Sequence, residues 1–300
     1  MEVAAAPPGW FLSALAAPVE VGRVEVDGCE IAFRRWGDPS HPALVLVHGG
    51  GAHSRWWDHV APFFAGGCCV TALDLSGHGD SGRRSSYSFE HWAEEITAVA
   101  ATVSGGAERQ PPVVIGHSLG GFATFYAGAR HGERFEGVIV VDSPVREPAP
   151  EQEASSRRQA FGPLHLYPTR EAALARFRTV PEQPGSLPYV VEHIAATSLR
   201  RARGGFTWKF DPSFFVTVGS FESEILGSIP CRVAILRPEF GLVTPDIGER
   251  MYELLGRTAP VIEIPLAHHH VMLDQPIAFV TAVRALLADW RHSYAHRRPV

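Results

Sequence analysis

Hydrophobic positions in the first half of the chain fall into short, nearly continuous runs that are separated by longer amphipathic stretches. Four runs are typical of strands buried on both faces of a parallel sheet: ALVLVHGG, CCVTALDLSG, PVVIGHS and FEGVIVVDSP. The stretches between them have helical spacing: SRWWDHVAPFF, SFEHWAEEITAVAATV and LGGFATFYAGARHG. This alternation predicts an α/β fold with a doubly wound, mostly parallel sheet that binds ligands at the carboxyl ends of its strands.

A hairpin precedes these strands, and a second alternation follows them. GRVEVDG and CEIAFRRWG alternate with period two and meet at Asp27-Gly28, which is a strong turn dipeptide. Near the C-terminus, the strand-like runs CRVAILRP and PVIEIPL flank a helical stretch near DIGERMYELLG. A last helix is predicted from Pro276 to about Arg291.

The segment between these two halves has a different character. From about residue 145 to 229 it is rich in charge and proline, and it has helix-like stretches such as REAALARFRTV and YVVEHIAATSLRRARG. We therefore predict a core formed by residues 1–144 and 230–300, with a helical cap, residues 145–229, inserted between core strands. A cap at the carboxyl edge of the sheet is well placed to cover a site as a lid.

Composition narrows the classes of partner. The formal net charge of -5 gives no general attraction to nucleic acid or anionic lipid. No apolar segment approaches the ~20 residues that cross a bilayer. The sequence begins with MEV and has no positive region before the apolar run WFLSALAAPV, so this run is interpreted as packed on the domain. We expect a cytoplasmic chain, monomeric or homodimeric, with no nucleic-acid or membrane partner. The cysteines, which lack the pattern of a disulfide scaffold or zinc site, are Cys29, Cys68, Cys69 and Cys231.

One serine stands where an apolar run gives way to a helical stretch. In GHSLGG, Ser118 lies between Gly116 and Gly120, directly after PVVI. A lone match to G-x-S-x-G is weak, but this strand-to-helix setting is the one that a nucleophile elbow requires. The helix N-terminus also favours negative charge beside the serine. The pattern indicates a nucleophile at Ser118, and the alternative is a small residue in a tight turn.

Several motifs, in order, resemble those of the α/β-hydrolase superfamily, over the chain from about Arg23 to Trp290. They are LVLVHGGG, LDLSGHGDSG, GHSLGG, VIVVDSP and HHVMLDQP. The resemblance is to esterases, lactonases and carbon–carbon bond hydrolases that carry a helical cap, and it implies a serine hydrolase. The sequence has no dinucleotide fingerprint, phosphate loop or metal motif, so no cofactor is expected.

A serine hydroxyl needs a base to act as a nucleophile near neutral pH. Three histidines follow the last predicted strand, and the resemblance to the family pattern G-H-x-x-x-L-E-x-P assigns the base to His269. His268 stands where glycine is usual, so His268 and His270 stay open as alternatives. No metal site is expected in this run, because adjacent side chains diverge and no cysteine or carboxylate spacing completes one.

The acid of a catalytic triad is missing from its usual place. Most relatives carry an aspartate after the strand that follows the cap, but here the stretch reads LRPEFGLVTP and the resemblance aligns that aspartate with Gly241. Asp142, at the end of VIVVD, and Glu239 are the candidates, since a carboxylate in either place could orient the imidazole. We favour Asp142, and a degraded triad is the third alternative.

The resemblance also implies an oxyanion hole made by the backbone N–H groups of Gly50 and Leu119. Aromatic residues in GGFTWKFDPSFF either pack the lid or line an apolar pocket for an uncharged substrate. The predicted function is hydrolysis of a small, moderately hydrophobic ester, lactone or thioester through an acyl-enzyme on Ser118. Two alternatives stay open: carbon–carbon bond hydrolysis of ring-cleavage products, and ligand binding without catalysis, which the vacancy at Gly241 motivates.

Overall fold

The computed structural model describes residues 6–104, 110–146 and 164–294. Its strands are β1 (Glu20–Val26), β2 (Cys29–Trp36), β3 (Ala43–Val47), β4 (Cys69–Leu73), β5 (Val113–His117), β6 (Gly137–Val141), β7 (Leu199–Ala202), β8 (Gly205–Trp208), β9 (Arg232–Phe240) and β10 (Val261–His268). Its α-helices are Gly9–Leu15, Phe89–Ser104, Leu119–His131, Arg170–Leu174, Pro188–Thr197, Phe214–Thr217, Pro245–Leu254, Val271–Asp274 and Pro276–Tyr294. Short 3₁₀ helices lie at Ser54–Trp57, Ala61–Phe63, Gly132–Arg134 and Ser223–Ser228.

One large sheet has the strand order β1-β2-β4-β3-β5-β6-β9-β10. The pairs β1–β2 and β2–β4 are antiparallel, and the other pairs are parallel. The mostly parallel α/β sheet expected from the sequence is therefore confirmed. The hairpin is confirmed as well, because Asp27 and Gly28 join β1 to β2 with φ values of 47° and 72°, as a tight two-residue turn requires.

Both faces of the sheet are buried, because successive residues of a central strand enter different apolar clusters. Val45 of β3 packs with the helices that follow β4 and β5. Leu46, the next residue, packs on the opposite face with the final helix. Both side chains are fully buried. This two-sided burial is why the strands are continuous apolar runs in the sequence.

The register of the parallel strands brings their carboxyl ends to one edge. His117, the last residue of β5, pairs with Val141, the last residue of β6. The residues that follow, Ser118 and Asp142, therefore leave neighbouring strands at the same edge. Strands β3 and β9 flank this pair, so four strand ends meet where an α/β sheet binds its ligands.

The chain between β6 and β9 contains strands as well as helices. Residues 147–163 of the predicted cap lie outside the described residues. In the described part, β7 and β8 form a small antiparallel sheet. The helix predicted over YVVEHIAATSLRRARG is therefore only partly correct, since it ends at Thr197 and the next residues pair with β8. The cap limits at 145 and 229 stay a prediction.

The helix predicted over SRWWDHVAPFF is wrong. This stretch forms the two 3₁₀ helices Ser54–Trp57 and Ala61–Phe63. The buried carboxylate of Asp74 accepts the backbone N–H of Ser54 at 2.6 Å, and Pro62 has no N–H to donate to a helical ladder. Tertiary contacts thus override the local helical preference.

The N-terminal helix packs on the domain, as predicted for WFLSALAAPV. Phe11 is 3% exposed, and its ring centroid lies 4.8 Å from that of Tyr189 in the helix Pro188–Thr197. This contact joins the start of the described chain to the segment between β6 and β9. Among the helices of the described stretches, none combines the length and the apolar character needed to span a membrane.

Replacing Leu46 by Ala tests the buried layer. Leu46 is fully buried, so the variant leaves a cavity and should lower the free energy of unfolding by about 2–5 kcal/mol. Leu12→Ala, at a position that is 54% exposed, is the matched control and should change it by less than about 0.5 kcal/mol. Urea denaturation followed by circular dichroism measures both values, and equal effects would contradict the placement of Leu46.

Candidate active site

Ser118 occupies the sharp turn between β5 and the helix Leu119–His131. Its φ of 53° and ψ of −120° form a conformation that a non-glycine residue adopts only where the surrounding structure enforces it. Its N–H donates to the carbonyl of Val141 at 2.9 Å, and its carbonyl accepts the hydroxyl of Ser143 at 2.8 Å. These bonds to β6 and the following loop hold Ser118 in the geometry of a nucleophile elbow.

Two glycines make this turn sterically feasible. A Cβ on Gly116 would lie 2.4 Å from the carbonyl oxygen of Gly120, and a Cβ on Gly120 would lie 2.3 Å from the carbonyl oxygen of His48. Both contacts are with backbone, so no side-chain movement could relieve them. The glycines on either side of Ser118 therefore let the helix pack directly on β5 and on the loop after β3.

The three consecutive histidines have different partners. Nδ1 of His268 lies 2.9 Å from the carboxylate of Asp274. His269 is 3% exposed, and its Nδ1 lies 2.7 Å from Oδ2 of Asp142. The ring of His270 packs against the ring of a tryptophan, Trp56. Of the three, His269 is the one that is paired with a candidate triad acid.

Asp142 is fully buried, and its carboxylate accepts several hydrogen bonds. Besides His269, the backbone N–H groups of Leu242 and Val243 donate to it, each at 2.8 Å. A buried carboxylate is tolerated when it is bonded in this way. Because the carboxylate takes the hydrogen on Nδ1, the lone pair of a neutral His269 imidazole lies on Nε2.

The vacant acid position at Gly241 lies directly beside this carboxylate. A Cβ on Gly241 would lie 2.5 Å from Oδ1 of Asp142. A side chain at the usual acid position and the carboxylate of Asp142 would thus compete for the same space. The glycine makes room for Asp142, and the vacancy does not leave His269 without a carboxylate partner.

Glu239, the other candidate acid, has a different partner. It is an exposed residue of β9, and its carboxylate accepts the backbone N–H of Leu266 at 2.7 Å. The structure therefore brings His269 together with Asp142 and not with Glu239.

The glycine-rich loop after β3 runs beside the serine. A Cβ on Gly49 would lie 3.2 Å from Cβ of Ser118, and a Cβ on Gly50 would lie 3.5 Å from the side chain of Leu119. His48 braces this loop, because its Nδ1 donates to the carbonyl of Gly49 at 2.7 Å while its Nε2 accepts a backbone N–H at 3.0 Å. Leu119 opens a helix, whose first N–H groups have no partner inside the helix. The two predicted oxyanion donors thus come from adjacent segments around Ser118.

Within the described part of the chain, no hydrogen bond joins the hydroxyl of Ser118 to His269. The two residues are linked instead through His117, which precedes the serine. Its Nε2 donates to the carbonyl of His269 at 2.8 Å, and the two ring centroids are 4.7 Å apart. Catalytic hydrogen bonds are often long in unliganded enzymes and shorten when substrate binds.

Sequence reasoning gives no role to His117, although it lies inside GHSLGG. Burial, reinforced by the neighbouring His269, lowers the pKa of His117 to about 3. Burial, again with His269, lowers the pKa of His270 well below its usual value. Both imidazoles are therefore neutral near pH 7. The expected divergence of adjacent histidines is not found, since the rings of His269 and His270 are 4.6 Å apart.

Residues between β6 and β9 reach the site from two sides. The side-chain carbonyl of Gln183 accepts the backbone N–H of His270 at 2.7 Å. On the other side, Phe214 lies 3.5 Å from the place that a Cβ on Gly50 would take, and its ring centroid is 4.4 Å from that of His78. Phe214, one of the aromatic residues predicted either to pack the lid or to line a pocket, is thus fully buried beside the glycine-rich loop. Nothing in the sequence marks Gln183 for its contact, which depends on the fold of this segment.

Comparisons with known proteins agree with this geometry. A family model described as "Alpha/beta hydrolase family" matches residues 44–283. "Esterase Rv0045c" of Mycobacterium tuberculosis is 28% identical over 283 residues, which cover 89% of each chain. A structure described as "Transition metal inhibition and structural refinement of the M. tuberculosis esterase, Rv0045c" has a TM-score of 0.71 at 25% identity, covering 90% of this chain and 92% of that one. The crystal structure of "E-2-(Acetamidomethylene)succinate Hydrolase" has a TM-score of 0.78 at 20% identity, covering 90% and 100%.

The chain belongs to the alpha/beta hydrolase family. The fold implied by the resemblance is thereby confirmed, and the relationship to an esterase supports an ester-cleaving hydrolase. The similarity to E-2-(acetamidomethylene)succinate hydrolase, at 20% identity, concerns the fold alone.

Replacing Gly241 by Ala tests whether the absence of a side chain at this position is needed for the placement of the Asp142 carboxylate. The new Cβ would lie 2.5 Å from the carboxylate of Asp142, so the carboxylate must move and the imidazole of His269 loses its orientation. Displacements of about 1 Å in an active site can cost about 10²-fold in rate, and we expect a loss of that order in kcat/KM for an activated ester. Gly66→Ala, where a Cβ meets nothing within 4 Å, is the matched control. A folded Gly241→Ala variant with full activity would show that the glycine does not position Asp142.

Proposed function

We propose that the chain is a serine hydrolase in which Ser118 is the nucleophile, His269 the base and Asp142 the orienting acid. The observation that carries the proposal is the 2.7 Å hydrogen bond between the buried side chains of His269 and Asp142. A carboxylate in this position keeps Nε2 free to accept a proton and stabilises the imidazolium that results. The strained turn presents Ser118 as the nucleophile. The backbone N–H groups of Gly50 and Leu119 act as the oxyanion donors.

In the first half-reaction, Oγ of Ser118 attacks the carbonyl carbon of the ester while Nε2 of His269 takes its proton. The carbonyl oxygen becomes an oxyanion and accepts hydrogen bonds from the backbone N–H groups of Gly50 and Leu119. The tetrahedral intermediate then expels the alcohol, which receives the proton from His269, and the acyl group stays on the serine. Water then attacks the acyl carbon while His269 takes one of its protons, the bond between the acyl carbon and Oγ breaks, Ser118 recovers the proton from His269, and the carboxylic acid product leaves.

The proposed substrate is a small, moderately hydrophobic ester, lactone or thioester. Phe214 and the side chain of Leu119 both lie 3.5 Å from the position of a Cβ on Gly50, so apolar groups border the oxyanion loop. Trp56 adds a second aromatic ring to the site through its contact with His270. Apolar walls with few polar groups suit an uncharged substrate.

We also propose that residues 145–229 act as a cap over this site. Several hydrogen bonds tie the described part of the segment to the core, and two of them join side chains that are distant in the sequence. Nε2 of His193 lies 3.0 Å from the carboxylate of Asp58, and the hydroxyl of Tyr87 donates to Asp211 at 3.0 Å. This segment also contacts the glycine-rich loop at Gly50 and the loop that carries His269 and His270. A segment held in this way controls which substrates reach the serine.

The Rv0045c esterase, described with transition metal inhibition, motivates one extension of the proposal. We propose that ester hydrolysis by this chain is also sensitive to transition metal ions. Imidazole is a favoured ligand of Zn²⁺ and Cu²⁺, and a serine hydrolase loses its base when a cation occupies the catalytic histidine.

Hydrolysis of p-nitrophenyl acetate, butyrate and octanoate tests the proposed function. We expect turnover by the wild type and a loss of about 10⁴-fold or more in Ser118→Ala, because the variant has no nucleophile. Acetate and butyrate should react faster than octanoate if the pocket is small. Ser40→Ala, which removes an exposed hydroxyl, is the control and should retain wild-type rates. Undiminished turnover by Ser118→Ala, or a folded wild type that is inactive on all three esters, would count against the proposal.

A further inference from the structure

Three buried imidazoles meet beside the serine. His117 ends β5, whereas His269 and His270 follow β10, and one ring nitrogen from each residue lies within 4.8 Å of the other two. The ring centroid of His117 is 4.7 Å from that of His269 and 5.5 Å from that of His270. Within residues 6–104, 110–146 and 164–294, no other group of His, Cys, Asp or Glu side chains is arranged closely enough to hold a metal ion.

His270 has unused hydrogen-bonding capacity. It is 5% exposed, and neither of its ring nitrogens makes a hydrogen bond of regular geometry, although the backbone of Val180 and of Pro181 lies close enough to act on its pKa. Buried polar atoms in native proteins nearly always have a well-formed partner, so the weak contacts of this buried ring leave it capacity to bind a ligand. The backbone of His270 is fixed by its hydrogen bond to Gln183, which keeps the ring beside the other two.

We propose that His117, His269 and His270 form a site for one borderline divalent transition cation, such as Zn²⁺ or Cu²⁺, and that catalysis stops when the site is occupied. Imidazole nitrogen is a preferred ligand of these ions, and three histidines with an open fourth position form a recurrent zinc geometry. Zn–N bonds of about 2.0–2.1 Å place tetrahedral ligand atoms about 3.3–3.4 Å apart. The ring nitrogens lie within 4.8 Å of one another, so side-chain rotations must bring the most distant pair closer by up to about 1.5 Å when a cation binds. Mg²⁺, which prefers oxygen ligands, should not bind.

Binding and catalysis exclude each other because both use the same lone pair. Nδ1 of His269 donates to Asp142, so the lone pair that a cation can take is on Nε2. In the proposed mechanism, that lone pair accepts the proton of Ser118. A bound cation therefore removes the base while the bond to Asp142 and the fold stay intact. This consequence rests on the proposed function, whereas the binding itself does not.

The test is a titration of metal-free protein with Zn²⁺ in competition with a chromophoric chelator, with ester hydrolysis measured at the same free Zn²⁺ concentrations. We expect one Zn²⁺ per chain and a loss of activity that follows its binding and is reversed by EDTA. His117→Gln and His270→Gln should each weaken binding by about tenfold or more, since loss of a ligand should cost at least as much as loss of its supporting contacts. His292→Gln, which removes an exposed histidine, is the matched control and should bind as the wild type does.

A second measurement uses the wild type alone and so does not depend on the folding of a variant. In two-bond ¹H–¹⁵N spectra of the imidazole rings, Zn²⁺ should shift the signals of His117, His269 and His270. The proposed site would be overturned by shifts confined to other histidines, by the absence of stoichiometric binding, or by undiminished affinity in both folded variants. Binding at the three histidines without loss of activity would overturn the claim that a bound cation stops catalysis. A wild type that is inactive before Zn²⁺ is added would contradict the proposed function, and the binding titration would still decide the site.

Discussion

The hydrogen bond between Asp142 and Nδ1 of His269 is the interaction on which the site depends, because it joins the end of β6 to the loop after β10. The carboxylate is held independently by the backbone N–H groups of Leu242 and Val243. The loop that carries His269 is held by His117, whose ring Nε2 donates to the carbonyl of His269. A charge-assisted bond between two buried and separately anchored groups fixes the orientation of the ring and costs little reorganisation when the ring takes up a proton.

The sheet places these groups because its parallel strands all end at one edge. Two-sided burial of β3, β5 and β6 fixes the register, and the register places Ser118 beside Asp142. The close approach of Gly120 to the carbonyl of His48 then brings the glycine-rich loop against the serine. The same packing that holds the core together therefore determines the spacing of the proposed nucleophile, acid and oxyanion donors.

Much of this arrangement could be predicted from the sequence, because strands buried on both faces require continuous apolar runs and an elbow requires glycines around its serine. The choice between Asp142 and Glu239 could not, since both residues lie at the ends of neighbouring strands. It depends on the backbone at Asp142, with φ of 48°, and on the space that Gly241 leaves for its carboxylate. The meeting of His117 with His270 and the pairing of β7 with β8 also depend on contacts between distant segments, which local patterns do not specify.

The role of Asp142 as the orienting acid is best tested by comparing kcat/KM for Asp142→Asn and Glu239→Gln on the same p-nitrophenyl ester. The two substitutions remove equal charge and nearly equal volume from the two candidate acids. If Asp142 orients His269, Asp142→Asn should lose about 10⁴-fold, while Glu239→Gln should remain close to wild type. A large loss in Glu239→Gln with an active Asp142→Asn would contradict this role and move the acid to β9.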